Sequence, residues 1–263
     1  MRWSKTRVGA AAIAVLAAAY ATAVALGAPP MMTVKTGAHL KVLSPKKGFR
    51  LTGNSLSTRV AITHFKVDCR YAGTANRKGI GHYHIELDKS LINMFCSTRG
   101  SISMLDVKPG KHTAQFIPAA NDHADDMKAM KQISFTYKPS NPLAAAKPLN
   151  FAGKPAIKIV SPKPGTSVHG GFNFVVAVKN LRLSCALYGK ARVKGYGHWH
   201  ANVDTTSKGM MGMGTMLGMS CAKTFHVSLA GIKPGKHRFF AILEDNLHVP
   251  SIGAQATVSV TVR

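Results

Sequence analysis

From residue 39 to residue 263 the chain is a succession of short runs in which apolar and polar positions alternate, divided by proline and glycine. A period of two is that of a β-strand with one face buried. Residues 81–88 give the clearest case: Tyr83, Ile85 and Leu87 fall on one face, and His82, His84, Glu86 and Asp88 on the other. Residues 197–204 repeat it, with Trp199, Ala201 and Val203 set against His198, His200, Asn202 and Asp204. The apolar members, above all Tyr83 and Trp199, read as core anchors. Runs over 59–67, 133–137, 172–178 and 256–262 are strand-like as well, and only residues 122–132 have room for a turn or two of helix.

The two halves match well beyond that strand. Val42-Leu43-Ser44-Pro45-Lys46-Lys47-Gly48 returns as Ile159-Val160-Ser161-Pro162-Lys163-Pro164-Gly165. Val107-Lys108-Pro109-Gly110-Lys111-His112 returns as Ile232-Lys233-Pro234-Gly235-Lys236-His237. Each is a strand meeting a Pro/Gly turn. About seven such strands per hundred residues predict two packed sheets. The expected fold is therefore all-β: two tandem immunoglobulin-like antiparallel β-sandwiches, residues 39–138 and 156–263, with a proline-rich linker over 139–155. Ahead of them Arg2, Lys5 and Arg7 precede an uncharged apolar run through residue 28. That is the layout of a secretory signal peptide, or of a membrane anchor helix if it is retained.

Cysteine usage agrees with export, periplasmic, cell-surface or secreted. Of the four cysteines, Cys69 and Cys96 lie in the first repeat and Cys185 and Cys221 in the second. Pairing within each repeat is favoured among the three possible pairings, each bond stabilising its domain by roughly 3–4 kcal/mol in the chain-entropy model. Thiolate ligation of a metal is the competing use.

Charge narrows the partners. The chain carries 35 Lys+Arg against 10 Asp+Glu, a formal net charge of +25. For an exported protein this points to anionic cell-envelope components or a membrane surface rather than nucleic acid. Adaptation to acidic surroundings explains the same balance.

Candidate chemistry gathers at the two repeated strands. Imidazoles at i and i+2 on one strand face stand about 7 Å apart at their roots, close enough to lean onto one ion. A third histidine follows in each repeat, His123 after Asn121-Asp122 and His248 after Asn246-Leu247. In an immunoglobulin-type sandwich that loop lies beside the start of the His-x-His strand, so three imidazoles are expected to converge at one rim. Eight of the 10 acids lie in or next to these motifs: Glu86, Asp88, Asp122, Asp125, Asp126, Asp204, Glu244 and Asp245. They suit a cation site as ligands or as acceptors for imidazole N–H groups. They equally suit a polar network bracing a loop. The expected ligands are His82, His84, His123 and Asp88 in the first repeat, and His198, His200, His248 and Asp204 in the second. Met210, Met211, Met213, Met216 and Met219 add thioethers to the second repeat alone, which favours copper over zinc. Their bland alternative is an apolar loop plugging a gap. His112 and His237 read as turn contacts.

Four features stand in both repeats: the Ser-Pro-Lys-x-Gly opening, the Gly-His-x-His-x-x-x-Asp strand, the Lys-Pro-Gly-x-His turn and the late Asn-x-His. Together they resemble a family of small exported bacterial immunoglobulin-like domains of unknown function, over most of 39–138 and 156–263. The late segment departs from the family pattern, which carries more histidines there. The resemblance implies export and fold, and no chemistry. Catalytic signatures such as Gly-x-Ser-x-Gly or His-Glu-x-x-His are missing and no small-molecule substrate is indicated, so the expectation is a non-enzymatic protein. It binds copper or zinc, or, as the alternative, serves as a basic structural or adhesive module on an anionic envelope.

Overall fold

The alternating runs become strands, in the same order in each repeat. The computed structural model describes residues 34–263, without the side chains of 210, 211 and 251–253; the expected signal or anchor over 1–28 lies outside the described residues. In the first repeat the strands are β1 (His39–Ser44), β2 (Phe49–Leu51), β3 (Ser55–Thr63), β4 (Lys66–Val67), β5 (Ile80–Leu87), β6 (Ser90–Phe95), β7 (Arg99–Ser103), β8 (Gly110–Ala119) and β9 (Lys131–Tyr137). The second has β10 (Ala156–Ser161), β11 (Ser167–Val168), β12 (Gly171–Lys179), β13 (Arg182–Leu183), β14 (Tyr196–Val203), β15 (Met216–Ser220), β16 (Thr224–Ser228), β17 (Gly235–Glu244) and β18 (Pro250–Val262).

Each repeat stacks a three-stranded sheet, β1-β3-β7 or β10-β12-β16, on a six-stranded one, β2-β9-β8-β5-β4 or β11-β18-β17-β14-β13, with β6 or β15 added beside β5 or β14. Pairing is antiparallel apart from the short pairs β2–β9, β4–β5, β11–β18 and β13–β14, which run parallel. Residues 122–132 hold turns and the start of β9 rather than helix, and helical structure among the described residues is confined to 3-10 turns such as Cys69–Tyr71, Cys185–Leu187 and Met210–Thr215. No helix of the described residues is long and apolar enough to cross a membrane.

One face of the repeated strand fills each core. Tyr83, Ile85 and Leu87 pack with Leu56, Phe116 and Phe135, and Trp199, Ala201 and Val203 with Phe174, Phe239 and Val258. The two aromatic rings satisfy their polar ends alike: Tyr83 donates to the Ser97 carbonyl at 2.9 Å and Trp199 to the Ala222 carbonyl at 2.8 Å. Disulfides join Cys69 to Cys96 and Cys185 to Cys221, tying each Cys-initiated 3-10 turn to the residue just past β6 or β15.

The other face of the strand is buried too, which a two-sheet sandwich alone does not require. His82, His84, His198 and His200 are between 0% and 4% exposed. What covers them is the other repeat. His123 donates from Nε2 to the Met216 carbonyl at 2.7 Å, and His248 donates from Nε2 to the Leu91 carbonyl at 3.0 Å. Leu91 and Met216 hold equivalent positions, opposite Glu86 and Asn202 in the ladder. The contacts are thus reciprocal, the pattern of an isologous dimer interface built within one chain. Ala72, Met94, Met213 and Met216 form an apolar cluster from both repeats there. Tyr188 of the second repeat joins the apolar cluster of the first.

Close approach depends on two equivalent glycines in the left-handed region. Gly73 (φ +72°) would set a Cβ 2.7 Å from the Met216 backbone, and Gly189 (φ +63°) would drive one into the Leu91 carbonyl. The linker is held down rather than loose: Ser140 donates to Thr52, Ala146 to Asp106 and Leu149 to Lys194.

Candidate metal centre

Three elements place each triad. β5 carries His82 and His84 on its non-core face, and the turn after β8 swings His123 back over them. Ala120 and Ala124 close that turn by hydrogen bonding, and His123 takes a positive φ of 62° at its tip. In the second repeat β14 and the turn after β17 do the same, with His248 at φ 61°. The turn registers because β8 runs antiparallel beside β5, pairing Ala119 with His82, as β17 pairs Glu244 with His198.

The nitrogens converge tightly. His82 Nε2 lies 3.1 Å from His84 Nε2 and 3.0 Å from His123 Nδ1, and the last two are 3.4 Å apart. The second triad repeats this: His198 Nε2 is 2.9 Å from His200 Nε2 and 3.0 Å from His248 Nδ1, with 3.5 Å closing the triangle. Three imidazole nitrogens about a tetrahedral ion at 2.0–2.1 Å would be about 3.3 Å from one another. Each triad could hold a metal ion.

Outer partners fix which nitrogens carry protons. A carbonyl only accepts, so the proton of His123 sits on Nε2 and its Nδ1 turns a lone pair inward. His84 Nδ1 lies 2.8 Å from the Asp125 carboxylate, which places its lone pair on Nε2, again inward. Two lone pairs therefore face each other, and only His82 has a proton to offer between them. Its Nδ1, like that of His198, is buried with no partner. In the second repeat the Leu91 carbonyl fixes His248 in the same tautomer. The acid there is Glu244, whose Oε1 stands 3.7 Å from His200 Nδ1, outside hydrogen-bond range, and whose Oε2 is unpartnered.

Burial sets the electrostatics. It is the main reason that His82, His198 and His200 are held far below the ordinary imidazole range, with neighbouring imidazoles adding to the effect. His123 is brought down to about 3, by burial first and by His84 next, against the opposing pull of the Met216 carbonyl. His248 is brought down to about 4, again by burial, with the Leu91 carbonyl and Asp245 opposing. The Glu244 carboxyl is pushed up to about 9 by burial and by Asp245. At neutral pH these are neutral donors, the form that coordinates metal. The triads also feel each other, since His123 opposes charge on His200 and His84 opposes charge on His248.

Not every expected ligand joins. Asp88 and Asp204 do not: each ends its strand at positive φ and turns away to bind His112 or His237 at 2.7 or 2.8 Å and the backbone N–H of Thr113 or Arg238. Four and six residues past the paired histidines, they are about 13 Å or more along the strand from them. The expected turn contacts of His112 and His237 are these same bonds. Among the methionines, Met213 and Met216 pack in the inter-repeat apolar cluster, and Met216 meets the first triad with its backbone carbonyl. The side chains of Met210 and Met211 lie outside the described residues. The triads lie between the repeats instead of at a free rim, because the strand face that carries them is the face on which the repeats pack. The alternation of residues 81–88 identified that face without revealing its cover; the equivalent glycines before each strand were the available hint of close packing.

No protein-family model matches the chain, and no curated protein matches it in sequence. Among solved structures it is similar to the fibronectin(III)-like modules of Clostridium thermocellum CbhA, at 12% identity over 85% of this chain and 94% of that one, with a TM-score of 0.28. It is also similar to the FN1–FN3 domains of chicken CNTN1, at 11% identity over 90% and 68% with a TM-score of 0.23. For the tetra-tandem repeat in the extending region of a large adhesion protein the figures are 10%, 86%, 48% and 0.25. Likenesses this distant carry nothing about chemistry.

Proposed function

We propose that this is an exported, non-enzymatic protein that binds one transition-metal ion, copper or zinc, at each of its two buried histidine triads. The observation that carries the reading is the pair of inward lone pairs on His84 and His123, 3.4 Å apart with one proton at most between them. A buried hydrogen-bond network satisfies donors with acceptors; the first triad instead sets acceptor against acceptor and leaves its centre wanting a cation, and the second repeats its nitrogen positions. Imidazole-only ligation suits both Zn2+ and copper. Burial of the triads, 0–6% exposed, argues for a held ion rather than one open to substrate. The two disulfides fit an oxidising compartment.

Metal analysis and chelator-competition titration of the oxidised protein test this. Two ions per chain are expected, falling to one in His84→Ala and in His200→Ala. Absence of tight binding in the unaltered protein at neutral pH ends the reading.

A second reading is favoured by the charge balance, together with how the acids are used. Every aspartate accepts a hydrogen bond inside the fold: Asp68 from Arg70, Asp88 and Asp204 from the turn histidines, Asp106 from Ala146, Asp122 from Ala124, Asp125 from His84, Asp126 from Thr36, and Asp245 from Leu247. The aspartates are thus engaged within the fold, and the 10 acids together stand against 35 Lys+Arg, a formal net charge of +25. We infer that the surface also associates with anionic envelope material.

A further inference from the structure

Beside each triad, on the neighbouring strand, stands a methionine. The register sets Met94 opposite His84 and Met219 opposite His200. Directly opposed residues of an antiparallel pair project to the same face, with Cβ atoms about 5 Å apart. The two methionines hold equivalent places in the two repeats, and both line one cleft between them, a cavity of about 380 Å³. Met94 did not stand out in the sequence, because the first repeat has no methionine-rich insert.

The opening of this cleft has an identifiable cause. Counting from the equivalent cysteines Cys69 and Cys185, Ala72 in the first repeat corresponds to Tyr188 in the second. Ala72 lines the cleft, whereas Tyr188 puts its ring into the apolar cluster of the first repeat and against His198, 4.4 Å between centroids. A small side chain therefore leaves open on one side what a large one fills on the other. Arg70 also lines the cleft, but its charge is taken up by Asp68 at 2.7 Å. By contrast, a smaller cavity lined by Lys35, Arg77, Lys78 and Ala120, beside the turn that carries His123, would repel a cation.

The triads are closed to solvent, so an ion must cross something to reach them, and thioethers are soft neutral ligands that do not titrate. We propose that this cleft is a metal entrance: Met94 and Met219 bind a soft monovalent cation, Cu(I), and pass it to the imidazoles of His84 and His200. The transfer is a ligand exchange. Thioether–copper bonds break as imidazole–copper bonds form, no electron moves, and the receiving Nε2 of His84 already presents a lone pair.

This inference rests on the metal reading above, and its test separates the two. Leu conserves the volume of Met, so Met94→Leu/Met219→Leu is expected to keep the fold. Cu(I) is supplied as a coloured chelate under nitrogen and its transfer is followed by absorbance, with Zn2+ uptake from a dye complex as the control. The expected result is the same final copper stoichiometry in both proteins, a copper transfer at least tenfold slower in the variant, and zinc uptake unchanged. Equal copper rates overturn the entrance. A lower copper end point in the variant also overturns it, making the methionines resident ligands. Failure of the unaltered protein to take up either ion overturns the metal reading and the entrance with it.

Discussion

The imidazole of His123 is held by one bond outward, to the carbonyl of Met216, and turns its other nitrogen inward toward His82 and His84. Burial of such a group has a pH signature whose direction follows from the proton count. Unfolded, each imidazole binds its proton near 6.5; folded and metal-free, His123 does so near 3 and His248 near 4. Between those limits the unfolded chain holds more protons, so stability is unaffected above about pH 6.5 and is lost as pH falls toward 3. The loss is on the order of a few kcal/mol per imidazole, at about 1.4 kcal/mol per pH unit. Glu244 works in the opposite sense: its proton is held up to about 9 in the fold against 4.5, so its contribution is present at low pH and lost as pH rises through that window. Urea unfolding of metal-free Glu244→Gln, which removes the strongest opposing carboxyl, should therefore show a midpoint that falls from pH 6.5 to 4. A flat midpoint over that range would mean that the imidazoles are not closed off from water. The same burial keeps His82, His123, His198, His200 and His248 neutral in mildly acidic surroundings.

At the scale of elements, the strands β5 and β14 are sealed on both faces, and the second seal depends on backbone approach at Gly73 and Gly189. Gly189→Ala is expected to lower stability by about 2–4 kcal/mol, because the added methyl meets the Leu91 carbonyl and the backbone is left-handed. Gly48→Ala is the matched control: its φ is +77°, yet nothing lies within 4 Å of the added Cβ, so only the backbone cost of about 1 kcal/mol should appear. Equal losses in the two variants, by thermal denaturation, would remove the close approach from the account. These elements also show what a linear pattern can carry. Tyr83, Ile85 and Leu87 were legible as core because alternation with period two encodes a face. The convergence of His123 with His82 and His84 followed from antiparallel neighbours. Asp88 was misplaced because pattern gives the face of a residue but not the turn after it, where a positive φ redirects the carboxylate to His112. The carbonyls of Leu91 and Met216 were invisible because any residue supplies a carbonyl, and Met216 drew attention for its sulfur instead.

At the largest scale, the described residues form one unit assembled from two similar halves, in a chain of formal net charge +25. Association with an anionic surface by charge alone is screened by salt, with a Debye length near 10 Å at 0.1 M falling to 3 Å at 1 M. Vesicles containing anionic lipid should retain the protein at 0.05 M salt and release it by 0.5 M, equally with and without chelator. Retention that persists in 0.5 M salt, or that disappears on chelation at low salt, would contradict a purely electrostatic attachment independent of the triads.

The exchanged bonds from His123 to Met216 and from His248 to Leu91 bear on how the protein is made. During synthesis the first half emerges with its imidazole surface still wet and its receiving turn unanswered. The lid for each pocket is encoded in the opposite half of the message. A chain stopped at the linker would leave His82, His84 and His123 uncovered, and completion of the fold is deferred until the last strands arrive.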